Sequence, residues 1–368
     1  MMVGGLELTP VSGWGIFPEA RPCVIAGPCS AESFEQLSRT AVALKEQGVA
    51  VLRAGLWKPR THPGCFEGVG ETGLAWLSAV RKETGMKVCT EVAGATHVKA
   101  CLAAGIDLLW IGARTTANPF LMQEIADALR GSDIPVLVKN PVSQDIGLWI
   151  GALERLSAAG ITKLGLILRG FPSVEEKKYR NSPKWTVAVE MRTRYPQLPF
   201  FCDPSHMGGD AAFVPALSQR ALDLGLDGLM VESHIDPSCA LSDAGQQLTP
   251  AALGNMLKSL KVRSADTQNA DYRASVDMLR DRIDEIDTTI VEALAARMEL
   301  SRKIGLLKKS NNVSILQASR WGAVLAEVLE QSDSLGLERE FVTKVFNAVH
   351  DASIQEQNKI LSVNDKDD

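Results

Sequence analysis

The chain lacks a basic excess: 39 Lys and Arg stand against 44 Asp and Glu, for a net charge of −5. Nucleic acids and anionic membrane surfaces are gripped through a phosphate-matching basic footprint, and this composition offers none. A membrane-length apolar run is missing too, since the most apolar stretch, 100–113, is broken by Asp107 and is too short to span a bilayer. The opening MMVGGLELTP has no basic segment followed by an apolar core, so no secretion signal is expected. Nor is there a disulfide-framework spacing: the 7 cysteines are odd in number and scattered, which fits a reducing cytoplasm. Cys23, Cys65, Cys89, Cys101 and Cys239 read as apolar fillers or surface thiols, and Cys202 as packed inside. Internal repeats and low-complexity tracts are absent. These absences leave small molecules as ligands, including small anions held by locally clustered Arg and Lys.

What the chain does have is a rhythm. Short apolar runs separated by segments of helical spacing recur between residues 23 and 232, and nearly every run ends on a polar side chain. They are Val24–Ala26 into Cys29, Val51–Leu52 into Arg53, Val88–Thr90 into Glu91, and Leu108–Gly112 into Arg114. Val136–Val138 into Lys139, Leu166–Leu168 into Arg169, Phe200–Cys202 into Asp203 and His206, and Leu229–Val231 into Glu232 complete the series. Strand, helix, strand repeated in this way predicts an α/β chain with a (β/α)8 TIM barrel, whose strand ends all meet at one mouth where such barrels do their chemistry. At 368 residues the chain has room for a barrel and something smaller.

Closure of the barrel sets the first strand beside the eighth. The ends of strands seven, eight and one carry His206, Glu232 and Cys29, and the loop after strand eight adds Asp243. A thiolate, an imidazole and two carboxylates form a mixed soft and hard set suited to a divalent metal such as Mn, Fe, Co or Zn. Each residue alone has an ordinary reading, a core cysteine or a helix-capping aspartate; convergence on adjacent strand ends favours the metal. His97 and His234 read as satisfied histidines at the surface or behind the site. The opposite side of the mouth is cationic: Arg114, Lys139 and Arg169 end neighbouring strands, and RAGLWKPRTHP adds Arg53, Lys58 and Arg60. Cations this dense repel one another unless anions lie between them, and Arg forks match phosphate and carboxylate. Glu91 reads as an orienting partner for a nearby Arg. A metal facing a phosphate cradle points to a Lewis acid polarising a carbonyl beside an anionic nucleophile, an aldol-type carbon–carbon bond formation.

Near Leu260 the pattern changes. Residues 1–262 form the expected barrel domain, RSADTQNAD (263–271) a linker, and 272–361 an all-α domain, with 362–368 a disordered tail. Leu279, Ile283, Ile286, Ile290, Leu294, Met298 and Ile304 follow helical spacing, and no Pro or Gly interrupts 273–302. One helix of about 35 residues would be about 50 Å long, which suggests a helical dimer. Two further helices are expected, over about 316–332 and 338–361. Arg297 and Lys308, three turns apart, share a face of the long helix, whereas Arg280 points about 100° away from Arg297, as though toward a different pocket.

The run-ends, taken in order, resemble the 3-deoxy-D-arabino-heptulosonate 7-phosphate (DAHP) synthase family in its short bacterial type Iβ form. The resemblance is carried by AGPCS (26–30), RAGLWKPRT (53–61), IGAR (111–114), VKNP (138–141), LRG (168–170), DPSH (203–206), VESH (231–234) and LSDAGQ (241–246). It implies condensation of phosphoenolpyruvate with erythrose 4-phosphate, releasing phosphate, at the start of the shikimate pathway. By that resemblance Cys29, His206, Glu232 and Asp243 are metal ligands, and Arg114, Lys139 and Arg169 hold the phosphoenolpyruvate phosphate. Arg53 and Lys58 face its carboxylate, Arg60 and Thr61 receive the sugar phosphate, and Lys58, Cys29 and His206 count as catalytic. His62 stands where the family usually has a small Ser. The barrel pattern starts almost at once, without the regulatory extension many relatives carry, so feedback control is expected to come from elsewhere. A related reading, a 3-deoxy-octulosonate 8-phosphate synthase-like aldolase, is opposed by KPRT and by the helical domain.

LRDRIDEID, AARMELSRKIGLLK and SIQEQ resemble the all-helical AroQ-type chorismate mutase domain, over about 85 residues. That resemblance implies a three-helix homodimer with interlocked long helices, converting chorismate to prephenate. Arg297 and Lys308 would be the catalytic pair, with Arg320, Ser353, Gln357 and Gln317 completing the pocket and Arg280 lent by the partner. Gln317 and Trp321 stand where the domain commonly has Asp and Glu. The alternative is a catalytically dead module that dimerises and senses a ligand. In either case prephenate or chorismate bound there is expected to regulate the barrel.

Overall fold

A computed structural model describes residues 5–58, 64–173, 178–263, 267, 269–316 and 318–362. The expected site residues Arg60, Thr61 and Gln317, together with His62 and the tail from 363, therefore lie outside the described residues. Two compact units divide at Ala265 and Asp266.

The first unit is a closed barrel of eight parallel strands: β1 (Cys23–Gly27), β2 (Val51–Arg53), β3 (Lys87–Val92), β4 (Leu108–Ile111), β5 (Val136–Lys139), β6 (Leu164–Leu168), β7 (Phe200–Cys202) and β8 (Gly228–Glu232). The ring closes where β8 runs parallel to β1, with Gly27 opposite Glu232. Both faces of such strands are covered, which is why they read as continuous apolar runs; β5, β6 and β8 are buried at every position. The helices between them are amphipathic and capped. The helix Phe34–Glu46 buries Leu37, Ala41 and Leu44, and the Ser33 side chain accepts from Gln36 N at its start.

Two apolar layers result. One lies between strands and helices and contains Leu37, Leu77, Ile125 and Trp149. The other fills the barrel with Ile25, Val51, Cys89, Trp110, Leu137, Ile167, Phe201 and Met230, one residue from each strand. Trp14, in the one-turn segment Val11–Trp14, joins this inner layer and approaches the start of β6, where a Cβ on Gly165 would lie 3.1 Å from its ring. The amino-terminal mouth is thereby plugged.

Strand side chains alternate with a period of two. The residue two places beyond each inner-layer member therefore faces the carboxyl-terminal mouth: Gly27, Arg53, Glu91, Gly112, Lys139, Arg169, Asp203 and Glu232. Glycine is required at position 27: its φ is +153°, and a Cβ there would lie 2.1 Å from Arg53 O. β3 extends through Glu91 to Val92, and β4 stops at Ile111, so Arg114 belongs to the one-turn helix Ala113–Thr116 rather than to a strand end.

The second unit contains three helices, Ala270–Ser310, Ala318–Ser334 and Arg339–Ser362. The first is 41 residues long, more than the sequence pattern suggested, because Asn269 caps it early by accepting from Tyr272 N at 3.0 Å. Gly305 lets the third helix approach closely; a Cβ there would meet Ile360 at 3.0 Å and Gln357 Cα at 3.3 Å. Only Ser301 and Gly305 of the long helix are buried. Leu279, Ile283, Ile286 and Ile290 form one helical stripe and are 59, 55, 53 and 51% exposed. No described helix is long and apolar enough to cross a membrane.

Candidate functional site

The polar ring at the mouth stands on Trp110. Arg53 Cζ lies 4.9 Å and Lys139 Nζ 5.9 Å from its ring centroid, and its indole N–H donates to Glu91 Oε2 at 2.9 Å. Glu91 is thus tied first to the indole. Above this floor buried cations and carboxylates form ion pairs across the ring. Arg53 NH2 meets Glu232 Oε1 at 3.1 Å, and Lys139 Nζ meets Asp203 Oδ2 at 2.7 Å, all four side chains being buried. Burying an ion costs several kcal/mol unless a counter-charge and hydrogen bonds replace its water, so these pairs stand or fall together.

Asp203 also faces His206 Nδ1 at 2.9 Å, which directs the other ring nitrogen, Nε2, to within 3.6 Å of Glu232 Oε1. Burial works to raise the Asp203 carboxyl, but the His206 and Lys139 charges outweigh it and hold the group well below the usual carboxylate range. Glu232 is likewise lowered: burial raises it, and His206 and Arg53 more than offset this.

Beyond Gly27 the chain turns Cys29 toward the same corner. Its Sγ is 3.3 Å from Asp243 Oδ2 and 3.1 Å from Lys58 Nζ. Donor atoms of Cys29, Glu232 and Asp243 lie within 4.8 Å of one another, with His206 at the Glu232 edge of that group. Burial, then the Glu232 charge, pushes the Cys29 thiol up to about 12. Asp243, whose φ of +49° is unusual for a residue with a side chain, is held well below its ordinary value; burial opposes this, and His206 and Arg180 overcome it. Glu232 Oε1 is buried and makes no hydrogen bond beyond its ion pair with Arg53. A soft sulfur beside hard carboxylate oxygens fits a divalent transition metal.

Next to this corner opens a cavity of about 470 Å3 whose lining includes Lys58, Arg114, Lys139, Arg169 and Arg180. Arg169 titrates below the usual guanidinium range because of burial; Asp203 opposes the shift, and Arg180 and Arg114 add to it. Like charges held this close call for an anion. Arg53 is not among the lining residues and is turned to Glu232 and to Cys29 O instead. His234 is 2% exposed, so the surface alternative for it is excluded, whereas His97 stacks on Trp57 with centroids 4.0 Å apart.

In the helical unit, Arg297 NH1 donates to Ser353 Oγ, with Val349 O at 3.4 Å, and Lys308 Nζ donates to Ile315 O. Gln357 is buried and its Oε1 has no hydrogen bond. Arg320 is exposed. Arg280 is exposed and pairs with Asp277 at 3.4 Å. Its distance from Arg297, 17 positions along one helix, is about 25 Å at the rise of an α-helix, so the two do not share a pocket within one chain. Trp321 stacks flat on His350, with centroids 3.9 Å apart.

Sequence patterns missed Arg180, Gln246 and the roles of Trp110 and Asp203. Trp110 and Asp203 were reachable by counting the inward phase of each strand. Arg180 sits in KKYRN, which reads as a solvated basic run, and no periodicity marks it.

Residues 16–269 match the DAHP synthetase I family, and residues 279–358 match chorismate mutase type II. Phospho-2-dehydro-3-deoxyheptonate aldolase of Thermotoga maritima is 37% identical over 238 residues, covering 65% of this chain and 68% of that protein. A 2-dehydro-3-deoxyphosphooctonate aldolase of Nitratidesulfovibrio vulgaris is 30% identical over 257 residues, covering 66% of this chain and 91% of the relative. The crystal structure of the Thermotoga maritima DAHP synthase superposes with a TM-score of 0.59 at 36% identity, over 64% of this chain and 67% of that one. Its truncated form gives 0.55 at 34% identity, over 64% and 83%.

The Lys139–Asp203 pair yields a stability test. Asp203→Asn preserves shape but leaves Lys139 buried without its counter-charge, and is expected to cost the barrel about 3–5 kcal/mol. Urea unfolding should show a lowered midpoint at unchanged slope; an unmoved midpoint would mean that Lys139 has a second anionic partner.

Proposed function

The chain belongs to the DAHP synthetase I family, with a chorismate mutase type II region following the barrel in sequence, and on that premise we propose a metal-dependent condensation of phosphoenolpyruvate with erythrose 4-phosphate to DAHP and phosphate, together with rearrangement of chorismate to prephenate. The observation that carries the first activity is the mouth itself, where three acidic and thiol donors within 4.8 Å of one another border a cavity walled by Arg114, Lys139 and Arg169.

Cys29, His206, Glu232 and Asp243 would hold the ion, and their donor chemistry suits Mn, Fe, Co or Zn alike. When bound it supplies Lewis-acid polarisation of the aldehyde. Arg114, Lys139 and Arg169 bind the phosphoenolpyruvate phosphate, and Lys58 faces its carboxylate. Fixing both ends of that small anion aims its third carbon at the carbonyl and removes the entropic cost of the encounter. Arg53, buried against Glu232, acts through that carboxylate. Arg60 and Thr61, which lie outside the described residues, receive the sugar phosphate.

In the helical unit Arg297, Lys308 and Arg320, with Ser353 and Gln357, grip the carboxylates and ether oxygen of chorismate. The rearrangement needs no proton transfer, so holding the folded conformer and stabilising charge at the breaking bond suffice. Arg280 serves the pocket of a second copy. The exposed stripe from Leu279 to Ile290 supports such a homodimer, since apolar side chains in this pattern on a solvated helix call for a covering partner. Prephenate or chorismate bound there biases the barrel through the fusion. The Trp321–His350 stack favours one rival, a helical unit that binds ligand and dimerises without catalysis.

A cross experiment on the full chain separates the activities. Cys29→Ala, or a chelator, should abolish phosphate release and bound metal while chorismate consumption continues. Arg297→Ala should do the reverse, lowering chorismate consumption by about 100-fold or more; a wild-type chain that consumes none supports the rival. Arabinose 5-phosphate should not replace erythrose 4-phosphate. Light scattering should give a dimer that Ile286→Asp dissociates, with loss of mutase turnover; a monomeric wild type removes the lent-Arg280 model. Saturating prephenate should change synthase rates, and unchanged rates dispose of the regulatory proposal.

A further inference from the structure

The acidic donors at the mouth are bracketed by Arg180, which lines the cavity, and by the buried Gln246. Arg180 NH1 donates to Asp243 Oδ1 and to Gln246 Oε1, each at 2.9 Å. The second bond settles which way the amide points. With its oxygen facing a guanidinium, Gln246 turns Nε2 to Glu232 and donates to Oε2 at 2.6 Å. Gln246 is 1% exposed and Glu232 is fully buried.

The consequence is a division of labour within each carboxylate. Glu232 has Oε2 tied by Gln246, leaving the buried Oε1 on the side of Arg53 and His206. Asp243 has Oδ1 tied by Arg180, leaving Oδ2 against Cys29 Sγ at 3.3 Å. One oxygen of each group is anchored and the other is presented to the donor cluster. An amide is the side chain that can do this at position 246, because it must accept from a cation at one end and donate to an anion at the other. A carboxylate there would set a third negative charge against Glu232, and an apolar group would leave the buried Glu232 Oε2 without its donor.

We infer that Gln246, oriented by Arg180, is a positioning residue that aims Glu232 Oε1 and Asp243 Oδ2 at the metal corner beside Cys29. This rests on the metal reading above. Loss of an outer partner that orients a ligand typically weakens metal affinity by about 10–100-fold.

The test uses the full-length protein, cobalt(II) as the probe and two variants. Gln246→Leu removes both amide bonds; Gln246→Met removes them with an unbranched chain of similar length, and decides the matter if the Leu variant unfolds. Cobalt titration, followed by the sulfur-to-cobalt charge-transfer absorption, reads Cys29 ligation independently of turnover. Dissociation constants should rise by about 10–100-fold, while synthase turnover recovers at saturating cobalt, which places the loss in metal binding rather than in kcat. A wild-type chain that takes up no cobalt defeats the metal reading itself. Wild-type uptake with both variants within about twofold of it overturns this inference alone.

Discussion

The mouth of the barrel depends on the phase of its strands, locked by closure of β8 on β1. Gly27 lies opposite Glu232, and the missing side chain at position 27 lets the Arg53 backbone pass at a distance no Cβ would permit. A slip of one residue in any strand would exchange its inner and outer faces. Arg53, Glu91, Lys139, Arg169, Asp203 and Glu232 share one layer because each follows an inner-layer apolar residue by two.

That layer is electrostatically expensive, and its arrangement shows how the cost is met. The deepest charges are paired, Arg53 with Glu232 and Lys139 with Asp203, over the face of Trp110. Nearer the opening, charges of one sign crowd together. Arg169 is depressed in part by Arg180 and Arg114, while Cys29, Glu232 and Asp243 crowd together on the other side. A surplus of each sign, separated by a few ångströms, suits simultaneous binding of a cation and a phosphorylated anion.

The helical unit solves a different problem. Its long helix is too extended to be covered by two shorter ones, so apolar positions from Leu279 to Ile290 stay exposed in a single chain. Arg297 reaches Ser353, and Gln357 packs beside Gly305, because Gly305 admits the third helix closely. Arg280, on the same helix, is kept out of that group by distance along the axis alone.

Much of this was legible in the chain. Apolar runs marked the strands, since strands covered on both faces carry no alternation, and the polar run-ends named Cys29, Lys139, Arg169, His206 and Glu232. Helical spacing and an uninterrupted 273–302 marked the long helix, though its start at Ala270 depended on a cap by Asn269. What the sequence by itself determined was therefore element type, order and the residues available at strand ends, because these follow from local periodicity. Only the tertiary structure decided which of those residues meet. The turning of Arg53 to Glu232, the pairing of Lys139 with Asp203, and the reach of Arg180 to Asp243 and Gln246 link positions tens to well over a hundred residues apart. No local pattern encodes such contacts; they arise from barrel closure and from the need of each buried charge to find its partner.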